Sequence, residues 1–225
     1  VCTTRPPELC LPQLELGVEG LRIAIADGYF TQGAEPEALA AVEKVAQALG
    51  VKARVTLPEV ERARAAAFVM TACEGANLHL ANLRQRPQDF DPATRDRFLA
   101  GALIPATWYL QAQRFRTWYR TQVRRVFEDV DLLLAPTTPC SATLIGQDKT
   151  TINGVEVLVR PNLGLFTQPL SFIGLPVLSV PLHRPGSLPL GVQLVAAPYN
   201  EALILRAAKV LEAAGIVSAS TLKIY

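Results

Sequence analysis

Residues that bind metals or act as nucleophiles are scarce in this sequence. Its 225 residues include four cysteines, two histidines and one methionine. The cysteines are widely spaced and form no CxxC pair, a composition typical of a reducing compartment and of a protein without a metal cluster. We therefore expect a cytoplasmic protein with no metal site and no organic cofactor.

Charge of one sign and long apolar runs are also lacking. The formal net charge is +2, and the basic residues do not collect into one stripe, which argues against a nucleic-acid partner. Apolar residues make up 50% of the chain but occur in short runs, none near the roughly 20 positions that a membrane span requires. We expect a folded protein that binds a small molecule, with no nucleic-acid and no membrane partner.

Strand and helix patterns alternate along the chain. A strand pattern covers 21–26, in which β-branched isoleucines alternate with small alanines; a helical period begins at Pro36 and ends before Gly50, and a second strand pattern covers 51–57. This succession predicts a βαβ unit with parallel strands.

The remaining patterns continue this alternation. Helices are predicted over 59–83, 92–101, the stretch after Pro105 and 201–214, strands over 131–136, 177–181 and 191–196, and a hairpin at Asn153-Gly154. We predict an α/β fold, a mixed and twisted β-sheet flanked by helices. Gly75 should mark a flaw in its helix, and Trp108 and Trp118 should lie in the core.

No short motif supplies a complete active site. The sequence contains no glycine-rich phosphate loop, no GxSxG turn and no HExxH pair. A cysteine–histidine pair, for example Cys140 with His183, is one alternative, but nothing in the sequence brings the two together. Since lone cysteines are most often inert core residues, a structural role is favoured.

Three ordered segments rich in proline and glycine carry a resemblance. They cover residues 131–139, 166–181 and 188–195. In this order they resemble the C-terminal half of the amidase signature family, and the resemblance extends from about Leu14 to Gly215. Three further stretches are similar to family members that hydrolyse carboxybiuret in cyanuric acid breakdown. These stretches are 74–80, 86–92 and 160–169.

The resemblance implies amide hydrolysis by a lysine, a bridging serine and a nucleophilic serine in a segment rich in glycine and serine. The five lysines and six serines of this chain include no adjacent serine pair and no Gly-Gly context. The first residue is Val1 rather than methionine, and we expect the catalytic segment to lie N-terminal to it. The chain should therefore contain no catalytic residue of its own.

The same resemblance implies that this chain forms one wall of a substrate pocket. Arg97, four residues before Gly101, matches an arginine that helps to hold a substrate carboxylate in a related amidotransferase. The planar fork of a guanidinium suits that task. Arg160 is a second candidate for binding an anion. For both arginines, an ion pair at a helix surface is the alternative.

Four smaller polar residues complete the predicted site. They are Thr137, Thr138, Thr167 and Gln168. The resemblance places them where strand ends open, and their side chains could hydrogen-bond an amide or a carboxylate. Capping of the strand ends is the alternative role. Gly164 occupies the position at which the related amidotransferase carries an aspartate that reads an amino group, which favours an anionic substrate without an amine.

One function is preferred and two alternatives remain. Residues 14–215 should form the C-terminal part of a single amidase domain, between a linker (1–13) and a tail (216–225). The whole enzyme would hydrolyse a C–N bond of a carboxylated biuret-like amide, or alternatively allophanate or a range of aliphatic amides. A non-catalytic amidase-like protein that binds a partner or an anionic ligand is the alternative from another class.

Association with a further chain is also expected. Half of an α/β sheet leaves apolar surface uncovered, and such surface drives association. The two expected forms are a homo-oligomer and a complex with a small partner subunit.

The absence of a Lys–Ser–Ser set gives a direct prediction. The purified 225-residue chain, incubated with biuret-type and simple aliphatic amides, should release no ammonia, because no residue in it supplies an activated serine. Saturable ammonia production by the chain alone would contradict this.

Overall fold

The strands of the molecule form two sheets in the computed structural model, which describes residues 5, 6 and 8–219. The strands are β1 (Ile23–Asp27), β2 (Arg54–Thr56), β3 (Leu132–Pro136), β4 (Lys149–Ile152), β5 (Val155–Leu158), β6 (Val177–Arg184) and β7 (Ser187–Ala196). The larger sheet has the order β2-β1-β3-β7-β6, and β4 pairs with β5 in the hairpin predicted at Asn153-Gly154.

Helices lie between β1 and β2, between β2 and β3, between β5 and β6, and after β7. They are α1 (Pro36–Ala48), α2 (Val60–Gln85), α3 (Pro92–Leu103), α4 (Ala106–Asp129), α5 (Val159–Leu163), α6 (Gln168–Ser171) and α7 (Glu201–Ala213). The predicted start at Pro36 and the left-handed Gly50 after α1 are both confirmed. Asp91 caps α3, its carboxylate accepting a hydrogen bond from the Thr94 N–H at 3.1 Å.

The larger sheet is mixed, as predicted. Strand β1 runs parallel to both β2 and β3, which confirms the βαβ unit around α1. Strand β3 then pairs antiparallel with β7, and β7 pairs antiparallel with β6. The α/β class with flanking helices is therefore confirmed.

The alternation of residue size in β1 separates the two faces of this sheet. Ala24 and Ala26 belong to the apolar cluster that also contains Ala63, Ala66 and Ala67 of α2. Ile23 and Ile25 belong to the opposite cluster, which contains α1 and α7 residues such as Val45 and Leu211. Since side chains alternate across a strand, this spacing places small residues where α2 approaches the sheet.

Two glycines set the contact between α2 and α3. A Cβ atom at Gly75 would lie 2.2 Å from the Phe98 ring, and one at Gly101 would lie 2.2 Å from the backbone oxygen of Ala72. The prediction of a flaw at Gly75 is wrong, because α2 continues through this residue. Gly75 is instead required for the close approach of a ring from α3.

The tryptophans of α4 also differ from the prediction. Trp108 is 58% exposed and Trp118 is 42% exposed, so neither lies in the core. The interior side of α4 carries Tyr119 and Val123, which are fully buried. The apolar stripe of this helix is wider than the face that packs into the core beside α2, and the tryptophans lie at its exposed side.

Described residues near both ends of the expected amidase-like region (14–215) pack against α7 or against the cluster around it. The Arg206 Nε–H donates to the Gly17 carbonyl oxygen at 2.8 Å, which ties the first described segment to α7. Val217 is buried in the cluster around α1 and α7. Cys2 and the residues of the predicted tail beyond 219 lie outside the described residues. Within the described part, no helix is both long and apolar enough to cross a membrane.

The contact at Gly101 predicts an unusual response to alanine. Ala in a helix is ordinarily more stable than Gly by about 1 kcal/mol, but the added Cβ here meets backbone atoms of α2. Gly101→Ala should therefore lower the free energy of unfolding by about 1–3 kcal/mol in urea denaturation. Ala100→Gly, on the exposed side of α3, is the control and should cost about 1 kcal/mol. An increase in stability for Gly101→Ala would contradict the contact.

Candidate functional site

Three of the six predicted site residues line one cavity. The cavity has a volume of about 510 Å³ and lies between α2, α3 and the segment that contains α5 and α6. Arg97, Arg160 and Gln168 contribute to its wall, together with Arg64, which was not among the predicted residues. Three guanidinium groups, one amide and the carboxylate of Glu61 therefore line a common space.

Arg97 is held in place by neutral groups of α2. Its Nη2 donates to the hydroxyl of Thr71, and its guanidinium carbon lies 4.6 Å from the centre of the Phe68 ring. Its Nε is buried and has no hydrogen-bond partner among the described residues. Arg97 also forms no ion pair within that part of the chain. Its positive charge is therefore available to an anion in the cavity.

Arg160 is paired with a carboxylate. Its Nη1 lies 2.6 Å from Oδ1 of Asp91, the residue that caps α3. The hydrogen bond from Arg160 lowers the pKa of Asp91 below its ordinary value. This is the ion pair expected as the alternative role of Arg160, and it partly neutralises one side of the cavity.

Arg64 connects α2 with the opposite wall of the cavity. Its Nη2 donates to the Pro161 carbonyl oxygen at 2.7 Å and to Oδ1 of Asn162 at 3.5 Å, and its Nε donates to Oε1 of Gln168 at 3.4 Å. All three acceptors lie on the segment 161–168. Arg64 thus fixes that segment at its distance from α2.

A second anchor for this segment comes from the sheet. Gln193 is 1% exposed, and its Nε2 donates to the Pro136 carbonyl oxygen at 2.8 Å and to the Phe166 carbonyl oxygen at 3.3 Å. Tyr29 donates to the Leu165 carbonyl oxygen at 3.1 Å, and burial raises the pKa of Tyr29 to about 12, so that it keeps its proton. The segment before Gln168 is therefore held by one buried and one half-buried donor.

The three predicted threonines are engaged in hydrogen bonds with other groups of the chain. The hydroxyls of Thr137 and Ser179 lie 2.7 Å apart over Gly191, where a Cβ would come within 2.8 Å of the Thr137 hydroxyl. Thr138 donates to the Cys140 carbonyl oxygen at 2.8 Å, and Thr167 donates to the Gly164 carbonyl oxygen at 3.4 Å. None of the three belongs to the wall of the cavity that contains Arg97.

Cys140 lies in a different cavity, of about 530 Å³, which Glu35 and Glu37 also line. Burial and these two carboxylates raise the pKa of the Cys140 thiol, which opposes formation of the thiolate. The ring of His183 hydrogen-bonds the Ser218 carbonyl oxygen at 2.8 Å. These environments do not activate Cys140 as a nucleophile, and the acidic wall disfavours an anionic ligand.

Two residues of the site that were not predicted had visible signals in the sequence. Gln193 is the one strongly polar residue in the otherwise apolar run 190–196, a pattern that indicates a buried amide with defined partners. Arg64 interrupts an alanine-rich helix on the side that faces the cavity. What the sequence could not provide was the identity of their acceptors, which lie about 30 to 100 residues away.

Comparison with known proteins gives a consistent result. The model of the Amidase family matches residues 3–205. The chain is 50% identical to AtzE, a 1-carboxybiuret hydrolase subunit of Pseudomonas sp. (strain ADP), over 96% of this chain and 48% of that protein. It is 31% identical to a glutamyl-tRNA(Gln) amidotransferase subunit of Myxococcus xanthus (strain DK1622), over 88% of this chain and 46% of that one. The chain thus spans about half the length of the curated relatives it matches.

A solved structure agrees with these relatives. It is described as an inhibitor-bound form of a vestigial protein complex that reveals the evolutionary origins of an s-triazine catabolic enzyme. It superposes with a TM-score of 0.94 at 48% identity, covering 98% of this chain and 49% of the other. The resemblance to the amidase signature family and to the carboxybiuret hydrolase subunit is confirmed.

The Asp91–Arg160 pair predicts that removing one charge improves anion binding. Asp91→Asn keeps a side chain that can cap α3, but it frees Arg160 from its carboxylate partner. We expect acetate to bind about threefold more tightly, as measured by NMR titration at low salt, since a nearby like charge is removed. Asp96→Asn is the control, because Asp96 pairs with Arg95 outside the cavity and should leave the affinity unchanged. Equal affinities in all three proteins would contradict the prediction.

Proposed function

The chain belongs to the amidase family, and we propose that it forms the substrate-binding wall of an enzyme that hydrolyses a linear C–N bond of a small, carboxylated, biuret-like amide. The 50% identity to a 1-carboxybiuret hydrolase subunit supports this substrate class. The same relationship supports a place in cyanuric acid degradation.

The observation that carries the proposal is the convergence of Arg64, Arg97 and Arg160 on one cavity. Two of these arginines are already bound, Arg160 to a carboxylate and Arg64 to carbonyl and amide oxygens. Arg97 is bound only to a hydroxyl and an aromatic face. A substrate carboxylate would give Arg97 the anionic partner that the described residues do not provide.

The chemical step would be performed by residues outside these 225. In the proposed reaction a serine oxygen attacks the amide carbonyl and passes its proton through a neighbouring serine to a lysine. The C–N bond then breaks, and the nitrogen leaves as an amine or ammonia with a returned proton. Water hydrolyses the acyl-serine. The role of this chain is to hold the substrate carboxylate so that its amide carbon meets the nucleophile.

A second chain is part of the proposal. The solved neighbour with a TM-score of 0.94 is described as a protein complex. Leu78 and Leu103 are 77% and 83% exposed and Trp108 is 58% exposed, and such side chains favour association. We propose that this region of α2, α3 and α4 is covered by a partner subunit or by a second copy.

A joined protein tests the proposed activity. We expect this chain, joined to the half of the Pseudomonas subunit that it does not match, to hydrolyse 1-carboxybiuret with release of ammonia. In this protein Arg97→Met should raise KM about tenfold and change kcat less, because a charge-assisted hydrogen bond contributes about 1.5 kcal/mol or more to substrate binding.

The control for this experiment is Arg120→Met, which removes the same charge from an exposed position of α4. It should leave KM within a factor of two. A joined, folded protein that fails to hydrolyse 1-carboxybiuret contradicts the proposed activity. Equal KM values for the Arg97 and Arg120 variants contradict the role of Arg97.

A further inference from the structure

Arg64 does more than connect two walls of the cavity, because it determines which end of the Gln168 amide faces the substrate. We propose that Arg64 is a positioning residue that turns the Nε2 hydrogens of Gln168 toward the cavity. The site would then select a substrate oxygen, a carboxylate or carbonyl, and reject an amino group at that position. This inference rests on the proposed function and specifies which substrate group Gln168 contacts.

The orientation of the amide follows from the chemistry of its neighbour. A guanidinium has donors and no acceptor, so the atom of Gln168 that faces Arg64 must be the oxygen. The Arg64 Nε–H donates to Oε1 of Gln168 at 3.4 Å, while Nη2, on the same edge of the guanidinium, donates to the Pro161 carbonyl oxygen at 2.7 Å. Two acceptors along one edge fix the plane of the guanidinium and, with it, the direction of the amide.

The other end of the amide is left with donors. None of the described residues accepts a hydrogen bond from Nε2 of Gln168. The side chain is half-buried and lines the arginine cavity and also a smaller one, of about 210 Å³, beside Thr71 and Arg116. Two N–H donors without an acceptor among the described residues favour a ligand oxygen, and this end of the amide offers no acceptor to an ammonium group. The carboxylates that line the two cavities are Glu61 in the larger and Glu74 in the smaller.

Gly164 provides the space for this arrangement. A Cβ at Gly164 would lie 3.4 Å from Cγ, 3.5 Å from Cδ and 3.6 Å from Nε2 of Gln168. The amide thus lies directly over the glycine, at ordinary contact distance from a methyl group. A side chain longer than alanine would occupy the space of the Nε2 group and displace it. Gly164 and Arg64 therefore constrain Gln168 from two sides.

The first test measures the orientation without any reaction. In the 225-residue chain labelled with ¹⁵N at glutamine, the side-chain NH₂ signals of Gln168 are assigned by their loss in Gln168→Leu. Arg64→Met should move these two signals toward the values of a free glutamine, because the oxygen loses its donor. Arg62→Met, on the same helix but outside the cavity, is the control and should leave them unchanged. Unchanged Gln168 signals in Arg64→Met would overturn the inference.

The second test measures selectivity with small probes. Malonamate carries a carboxylate, and glycinamide carries an ammonium group in a molecule of similar size. NMR titration should show that the wild-type chain binds malonamate more tightly than glycinamide. Gln168→Glu replaces the donors with an anionic acceptor and should weaken malonamate binding at least tenfold. A malonamate affinity within threefold of wild type in a folded Gln168→Glu protein would overturn the inference.

A double-variant cycle separates positioning from the charge of Arg64 itself. If Arg64 acts through Gln168, Arg64→Met should weaken malonamate binding several-fold in the wild-type background and much less in the Gln168→Leu background. An equal effect in both backgrounds shows that only the arginine charge matters and overturns the positioning role. If the joined protein fails to hydrolyse 1-carboxybiuret while the coupling between Arg64 and Gln168 is observed, the result contradicts the proposed function and leaves the positioning role of Arg64 standing.

Discussion

The buried amide of Gln193 is the interaction on which the candidate site depends. It donates to the carbonyl oxygen at the end of β3 and to the Phe166 carbonyl oxygen, and it is the one amide or charged side chain among the described residues that is almost completely buried. A buried donor that loses its acceptors costs about 1–3 kcal/mol, so both chain segments are held in register with β7. Gln168 follows Phe166 by two residues. The position of this cavity wall is therefore fixed relative to β3 and β7 at the centre of the sheet.

The three arginines of the cavity differ in how far other groups of the chain already bind their charge. Arg160 is paired with Asp91, Arg64 is directed at oxygens of the chain, and Arg97 contacts only a hydroxyl and a ring. The paired and bound arginines define the geometry, while Arg97 keeps its charge for a ligand. Such a division lets a cavity lined by three guanidinium groups and the Glu61 carboxylate hold one small carboxylate without the repulsion that three free guanidinium groups would create.

Much of the fold follows from local sequence patterns, and the site follows from them only in part. Periodicity and capping residues predicted α1, the βαβ unit and the hairpin at Asn153-Gly154, because those features depend on neighbours within a few residues. The exposure of Trp108 and the role of Gly75 were missed, since both depend on which helix lies opposite. The resemblance indicated Arg97, Arg160 and Gln168 as a set of candidates. It could not show that Asp91 neutralises Arg160 or that Arg64 orients Gln168.

A small carboxylated amide should bind between α2, α3 and the α5–α6 segment. Backbone amide shifts of the 225-residue chain, followed by NMR during titration with malonamate, test it most directly. The largest shifts should cluster at residues 64–71, 97 and 160–168, and they should disappear in Arg97→Met. Shifts centred on the acidic cavity around Glu35 and Cys140, or unchanged shifts at the arginine cavity, would contradict it.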